Sequence, residues 1–168
     1  DRVADLAAAS RRNLAGAQIL FIDTPGLHPP DGKLGEFMRT TVERALEDVD
    51  LVCAIVDATA RRHPDEQILD ALRGQAAPAF CVLNKADAVA PKTRMLPLIE
   101  AYREKFEFAE YIPVSALREE GLDDLRRTIV RYLPEGQPWF PADYVTDQPE
   151  RFLAAELIRE KVIRATRE

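Results

Sequence analysis

Long apolar runs, cysteines and histidines are scarce in this 168-residue chain, and each scarcity closes a route. No stretch reaches the roughly 18 consecutive apolar residues that a membrane-crossing helix needs. No positively charged start leads into an apolar segment with a small-residue cleavage site, so no secretory signal is expected. The two cysteines, Cys53 and Cys81, lie far apart, each inside an apolar run. They read as buried, reduced thiols of a cytosolic protein rather than a disulfide or metal pair. His28 and His63 have no partners at ligand spacing. Basic charge is outweighed, 23 Lys and Arg against 29 Asp and Glu, for a net charge of −6. Such a chain is a poor whole-surface binder of nucleic acid, and a role there needs a local patch or another part of the protein. What remains is ordinary globular composition, 46% hydrophobic and 31% charged. The length suits one domain, or one domain and a piece of another, with a core that needs no covalent staples.

Four short apolar runs each end in a polar residue: Ile19–Ile22 before Asp23, Leu51–Val56 before Asp57, Phe80–Leu83 before Asn84, and Tyr111–Val114 before Ser115. Near-continuous rather than alternating, they read as strands buried on both faces of a parallel sheet. Between and after them, apolar residues recur at helical spacing. The stripes are Leu34 to Leu46, Ile68 to Leu72, Met95 to Phe106, and Leu122 to Leu133, the last preceded by Gly121 and stopped by Pro134. The alternation predicts an α/β fold, an open, mostly parallel sheet with right-handed crossovers and helices on both faces. Pro134, Gly136, Pro138, Pro141 and Pro149 mark residues 134–149 as a linker. Trp139, Phe140 and Tyr144 are expected to pin that linker to the domain surface. Phe152 to Arg167 reads as a helix, the first element of a second domain over 150–168. Residues 1–17 carry no strand-like run, and Leu6–Ala9 suggests a helix.

The polar residues with chemical potential fall at the carboxyl ends of the predicted strands, the edge at which open α/β sheets bind ligands. Asp23-Thr24-Pro25-Gly26 places a carboxylate where it suits a hydrated Mg²⁺, followed by a glycine whose N–H can approach a phosphate. Alone, the stretch reads more readily as a turn. In Asn84-Lys85-Ala86-Asp87, the Asp carboxylate can accept from both the N1–H and the exocyclic amine of guanine, a donor pair adenine lacks. The Asn amide can donate to a base nitrogen and brace neighbouring loops, and the Lys stem can lie along the base. Ser115-Ala116-Leu117, at the next strand end, offers a backbone N–H for the guanine carbonyl oxygen.

In order, spacing and strand-end placement, these three stretches resemble the guanine-nucleotide signatures of the P-loop GTPase superfamily. More narrowly, Asp23-Thr24-Pro25-Gly26-Leu27-His28 resembles the Era family of ribosome-assembly GTPases. So do the linker Phe140-Pro141-Ala142-Asp143-Tyr144-Val145-Thr146-Asp147 and the stretch Arg151 to Lys161, which looks like the entry to the Era KH domain. The resemblance implies an incomplete GTP-binding domain over 18–133, a linker over 134–149 and the start of an RNA-binding KH domain over 150–168. It also implies GTP and GDP as ligands, Mg²⁺ held by Asp23 through water, and GTP hydrolysis. The implied partner is the small ribosomal subunit and its rRNA, in whose assembly the protein would act. The implied location is cytoplasmic, with peripheral association at the inner membrane. Nothing implies an obligate oligomer. The implied nucleotide contacts are Asp23, Thr24, Pro25, Gly26, Asn84, Lys85, Asp87, Ser115, Ala116 and Leu117. No catalytic residue is implied, because Leu27 stands where Ras-like GTPases carry a water-orienting Gln.

One signature is missing. None of the seven glycines opens a G-x-x-x-x-G-K-[ST] motif, which supplies the amide cradle, a lysine and a Mg²⁺ ligand for phosphate. Ser10 stands in for the Mg²⁺-contacting threonine of the mobile loop only by default. In the family, the strand before the phosphate loop lies between those starting at Ile19 and Leu51, so a gap in the sheet is expected there. The sequence is accordingly expected to be incomplete at its start, or to join segments across a gap near residues 1–18. Likewise the clamping GXXG loop of a KH domain is absent, and these residues alone should bind RNA weakly. The competing reading is a non-hydrolysing, guanine-binding interaction module. A different translation-associated GTPase fits the linker less well. Asp65-Glu66, Glu119-Glu120 and Asp123-Asp124 read as helix-start carboxylates suited to the helix dipole, not as an acid–base pair.

Overall fold

The computed structural model describes residues 9–14, 17–24, 32–60, 64–139 and 150–166. The chain divides into two compact units, 1–24 with 137–168, and 25–136.

In the first unit, β1 (Ala9–Leu14) pairs antiparallel with β2 (Ala17–Ile22), in register from Ala9 opposite Ile22 to Leu14 opposite Ala17. This corrects the expectation for residues 9–14, where Ala-Ser-Arg-Arg-Asn-Leu carries no apolar pattern yet forms a full strand; Leu6 to Ala8, read as helical, lie outside the described residues. The Ile19 strand pairs antiparallel with β1 and, among the described residues, does not pair with β3, in line with the gap expected from the absent strand between them. The polar strand is held by its ladder to β2, whose Ile19 is buried. Trp139 does not pin the linker through its ring, which is 87% exposed. Its backbone N–H donates instead to Gln18 Oε1 at 3.0 Å. Phe140 and Tyr144, with the rest of the family-like linker through Asp147, lie outside the described residues. The predicted final helix is α5 (Glu150–Thr166), on which Leu157, Ile158, Val162 and Ile163 are exposed.

The second unit holds α1 (Gly32–Ala45), then β3 (Val52–Asp57), α2 (Glu66–Leu72), β4 (Ala79–Asn84), α3 (Leu96–Lys105), β5 (Glu110–Pro113) and α4 (Leu122–Tyr132). The strands form one parallel sheet in the order β3-β4-β5. β4 lies in the centre, and Phe80, Cys81, Val82 and Leu83 are all buried, as an apolar run in a parallel sheet requires. Side chains alternate between faces along the strand. Ala79, Cys81 and Leu83 share a core with Ala54 and Val56 of β3, Leu69 and Leu72 of α2, and Leu98 and Tyr102 of α3. Phe80 faces the other way, its ring edge-to-face with Tyr132 of α4 at 4.8 Å. Helices therefore cover both faces of β4, as predicted, whereas β3 is less enclosed than its apolar run implied, with Ile55 64% exposed. Burial pushes the thiols of Cys53 and Cys81 up, to about 11 and about 12. Both are free cysteines; Cys81 is buried as expected, whereas Cys53 is only half-buried. Among the described residues, no helix is long and apolar enough to cross a membrane.

The helix starts explain most of the paired carboxylates. Asp65 caps α2, accepting from Gln67 N–H at 3.0 Å, with Glu66 in the first turn. Asp123 and Asp124 lie in the first turn of α4, paired with Arg126 and Arg127. Glu119 and Glu120 differ: they precede α4 and belong to the loop that returns from Ser115.

Candidate guanine-binding site

The site begins where β4 and β5 run out. Beyond Asn84 the chain turns at once, because Lys85 adopts the left-handed conformation with φ 63°. That conformation is costly for a residue with a Cβ, and hydrogen bonds hold it. The Asn84 Oδ1 accepts from Lys85 N–H at 2.8 Å and from Ala116 N–H at 3.1 Å. One side-chain oxygen thus ties the loop after β4 to the loop after β5. Ala86 N–H, donating to Val114 C=O at 3.0 Å, makes a second tie, and a short 3-10 turn over Ala86–Ala88 follows.

The partner loop is as firmly closed. Ser115 and Glu120 exchange both backbone hydrogen bonds, at 2.9 and 3.1 Å, so residues 116–119 form a tight return. Gly121 makes that return possible. Its φ is +76°, and a Cβ there would stand 2.5 Å from the Pro113 carbonyl oxygen. Ser115 is buried, with Oγ accepting from Arg118 N–H at 3.1 Å.

Asp87 and Ser115 meet between the loops. The Ser115 hydroxyl donates to the Asp87 carboxylate, the main reason its pKa lies below the usual range; the Arg118 and Lys92 charges add to the effect. Arg118 Nε approaches Asp87 Oδ2 at 3.5 Å. Lys85 Nζ reaches back to Asp57 Oδ2 at 2.7 Å. Asp57, at the end of β3, also accepts at Oδ1 from the Thr59 N–H at 2.8 Å and hydroxyl at 2.6 Å. These contacts, the lysine first, lower its pKa to about 2. Leu117 is 87% exposed at the tip of the return.

Of the predicted site residues, the fold therefore gathers Asn84, Lys85, Asp87, Ser115, Ala116 and Leu117 into one place. Asp23 and Thr24 are exposed beyond β2, in the other compact unit. Pro25 and Gly26 lie outside the described residues, as do Leu27, His28 and His63. Sequence reading missed Asp57 and Arg118. The first carries the same signal as the residues it found, a polar group ending a buried strand; the second has no sequence signal, since its role depends on the closed return after Ser115.

The donor set fits a guanine. With the Asn84 Oδ1 engaged twice, its amide nitrogen is left as a donor. Asp87 supplies two acceptor oxygens, and among the described residues the Leu117 N–H has no hydrogen-bond partner and adds a backbone donor, whereas the Ala116 N–H is already taken by Asn84 Oδ1. For Mg²⁺ the described residues contain no cluster of three or more ligating side chains. A lone Asp23 carboxylate suits an ion that keeps most of its waters and arrives with phosphate oxygens.

The family model described as the elongation factor Tu GTP binding domain matches residues 5–135. The GTPase Era of Geobacter metallireducens is 45% identical over 157 residues, covering 93% of this chain and 52% of that protein. Among solved structures, an Era complex with MgGDPNP and nucleotides 1506–1542 of 16S ribosomal RNA aligns with a TM-score of 0.79 at 38% identity. Era of Aquifex aeolicus bound to GDP and AlF4⁻, a point variant, aligns with a TM-score of 0.81 at 41% identity. Each alignment covers 95% of this chain and 55% of the other. The chain thus spans about half the length of the curated relatives it matches. The fold is that of a P-loop GTPase domain, with an open sheet whose core is parallel, and the chain belongs to the elongation factor Tu GTP-binding domain family, with Era GTPases among its relatives.

Proposed function

We propose that this chain is the guanine-reading part of an Era-type GTPase that binds GTP and GDP with Mg²⁺ and hydrolyses GTP. The observation that carries the reading is the double engagement of Asn84 Oδ1, which holds the two base-reading loops together before any ligand arrives. In this reading Asp87 accepts from the N1–H and 2-amino group of guanine, and Asn84 donates through its amide nitrogen to a ring nitrogen. Lys85 lays its stem along the base, and the Leu117 N–H faces the 6-oxo group, since the Ala116 N–H is held by Asn84 Oδ1. Ser115 orients Asp87. Asp23 holds hydrated Mg²⁺, which when bound offsets phosphate charge, while Thr24, Pro25 and Gly26 approach the phosphates. No residue of this chain is assigned as a general base, since Leu27 cannot orient water by hydrogen bonding.

The partner in this reading is the rRNA of the small ribosomal subunit, with a role in that subunit's assembly, a cytoplasmic location and peripheral contact with the inner membrane. Support comes from the Era–16S rRNA complex among the structural relatives and from α5, which fits the opening helix of a KH domain. The second reading is a guanine-binding module without phosphate chemistry. Titration of the intact protein with GDP and with guanosine, each with and without Mg²⁺, separates the two. The GTPase reading expects GDP to bind far more tightly than guanosine and in a Mg²⁺-dependent way. Equal, weak, Mg²⁺-independent binding of both would establish the module instead.

A further inference from the structure

We propose that Asp57 is a positioning residue for base recognition: its carboxylate holds Lys85 so that the lysine stem is already laid out where the base stacks. This rests on the guanine-binding reading above and adds to it a residue from a third strand. The backbone of Lys85 is fixed at its root by Asn84 Oδ1 and by the left-handed turn. A root fixed in this way does not determine where a flexible four-carbon stem runs. The far end is what Asp57 supplies, through the 2.7 Å contact from Nζ to Oδ2.

Asp57 is itself anchored well enough to serve as a fixed point. Its other oxygen accepts both Thr59 donors. The next residue, Ala58, donates its N–H to the Asn84 carbonyl at 2.8 Å, and Asp57 stands opposite Asn84 in the ladder between β3 and β4. The lysine is therefore held at both ends by the same pair of strand termini. The ion pair is exposed, with side chains 61% and 39% accessible. Exposed pairs contribute little to folding stability, so stability does not account for its triple anchoring. Preorganisation does: a lysine stem ordered before binding loses less freedom when a base packs on it.

The test is a double-mutant cycle on guanosine affinity in the intact protein, by calorimetry, over wild type, Asp57→Ala, Lys85→Ala and the double variant. The thermal midpoint of each is measured alongside. The proposal expects Asp57→Ala to weaken guanosine binding about tenfold, and expects no further loss when it is added to Lys85→Ala. Asp57→Asn, which keeps an acceptor for Thr59, guards against misfolding and should also weaken binding. Asp57→Glu should restore part of the affinity. If Asp57→Ala and Asp57→Asn bind guanosine within twofold of wild type, the proposal is overturned. It is equally overturned if Asp57→Ala costs as much with Lys85 absent as with it present. A wild-type protein that prefers adenosine to guanosine, or binds neither, would instead sink the underlying guanine reading.

Discussion

Asn84 and Asp87 have protein partners that fix their orientation before any ligand arrives, whereas Asp23 and Thr24 stand exposed at the end of a two-stranded ribbon. The contrast follows from what each loop is built on. The loops after β4 and β5 leave adjacent strands of one parallel sheet, so side-chain and backbone groups of one reach the other directly. The stretch after β2 leaves an antiparallel pair in the other compact unit. Base recognition needs fixed donors and acceptors, because a base is distinguished by hydrogen-bond pattern. Holding a hydrated cation against phosphate needs charge at roughly the right distance, and the phosphate completes the site. The described residues therefore supply more of the first geometry than of the second.

The largest expected effect comes from removing the tie itself. Asn84→Ala deletes the acceptor shared by Lys85 and Ala116, two hydrogen bonds of about 1–1.5 kcal/mol each. Guanosine and GDP affinity should fall together by about 100-fold. A loss confined to GDP would place the brace on the phosphate side and break the comparison. Next is Gly121→Ala, which forces a Cβ into the Pro113 carbonyl at a positive φ. It should destabilise the fold by about 1–3 kcal/mol, read as a lowered denaturation midpoint. Smaller again is Asp23→Ala: the Mg²⁺ dependence of GDP binding should weaken about tenfold, at the scale of one charge-assisted contact, while guanosine affinity stays unchanged. A fall in guanosine affinity there would erase the distinction between the two regions.

Acid sharpens the same point with a modest effect. Asp57 is lowered to about 2 by Lys85 and Thr59, and Asp87 is lowered chiefly by Ser115. A carboxyl held below its unfolded value of about 3.8 contributes above that value and loses its contribution as pH falls through the native value. Guanosine affinity should be flat from about pH 5 to 8 and decline only below about pH 4. A midpoint above about pH 5 would show that these carboxyls are not held by the partners described.

Much of this was legible in the sequence, for reasons that particular residues make plain. Phe80-Cys81-Val82-Leu83 is apolar throughout because β4 is covered on both faces, so its strand and its end at Asn84 stand out. The helices announced themselves by spacing, and Gly121 by its place before α4. β1 was hidden because Ser10-Arg11-Arg12-Asn13 has neither an apolar run nor alternation; pairing with β2 makes it a strand. Ile19 lacks a parallel neighbour among the described residues for the reason the sequence indicated, the absence of the strand that would lie between it and β3. The Asp57–Lys85 contact joins residues of different strands, and no local pattern encodes it. Trp139 misled because a large aromatic in a proline-rich linker suggests an anchor, yet its ring is exposed and its backbone makes the contact.

The most direct measurement is the base preference of Asp87→Asn in the intact protein, by competition between guanosine and xanthosine diphosphates. An amide in place of the carboxylate can donate to the 2-oxo group of xanthine, so preference should swing from guanine to xanthine. An unchanged preference for guanine would contradict the assignment of Asp87 as the group that reads the base.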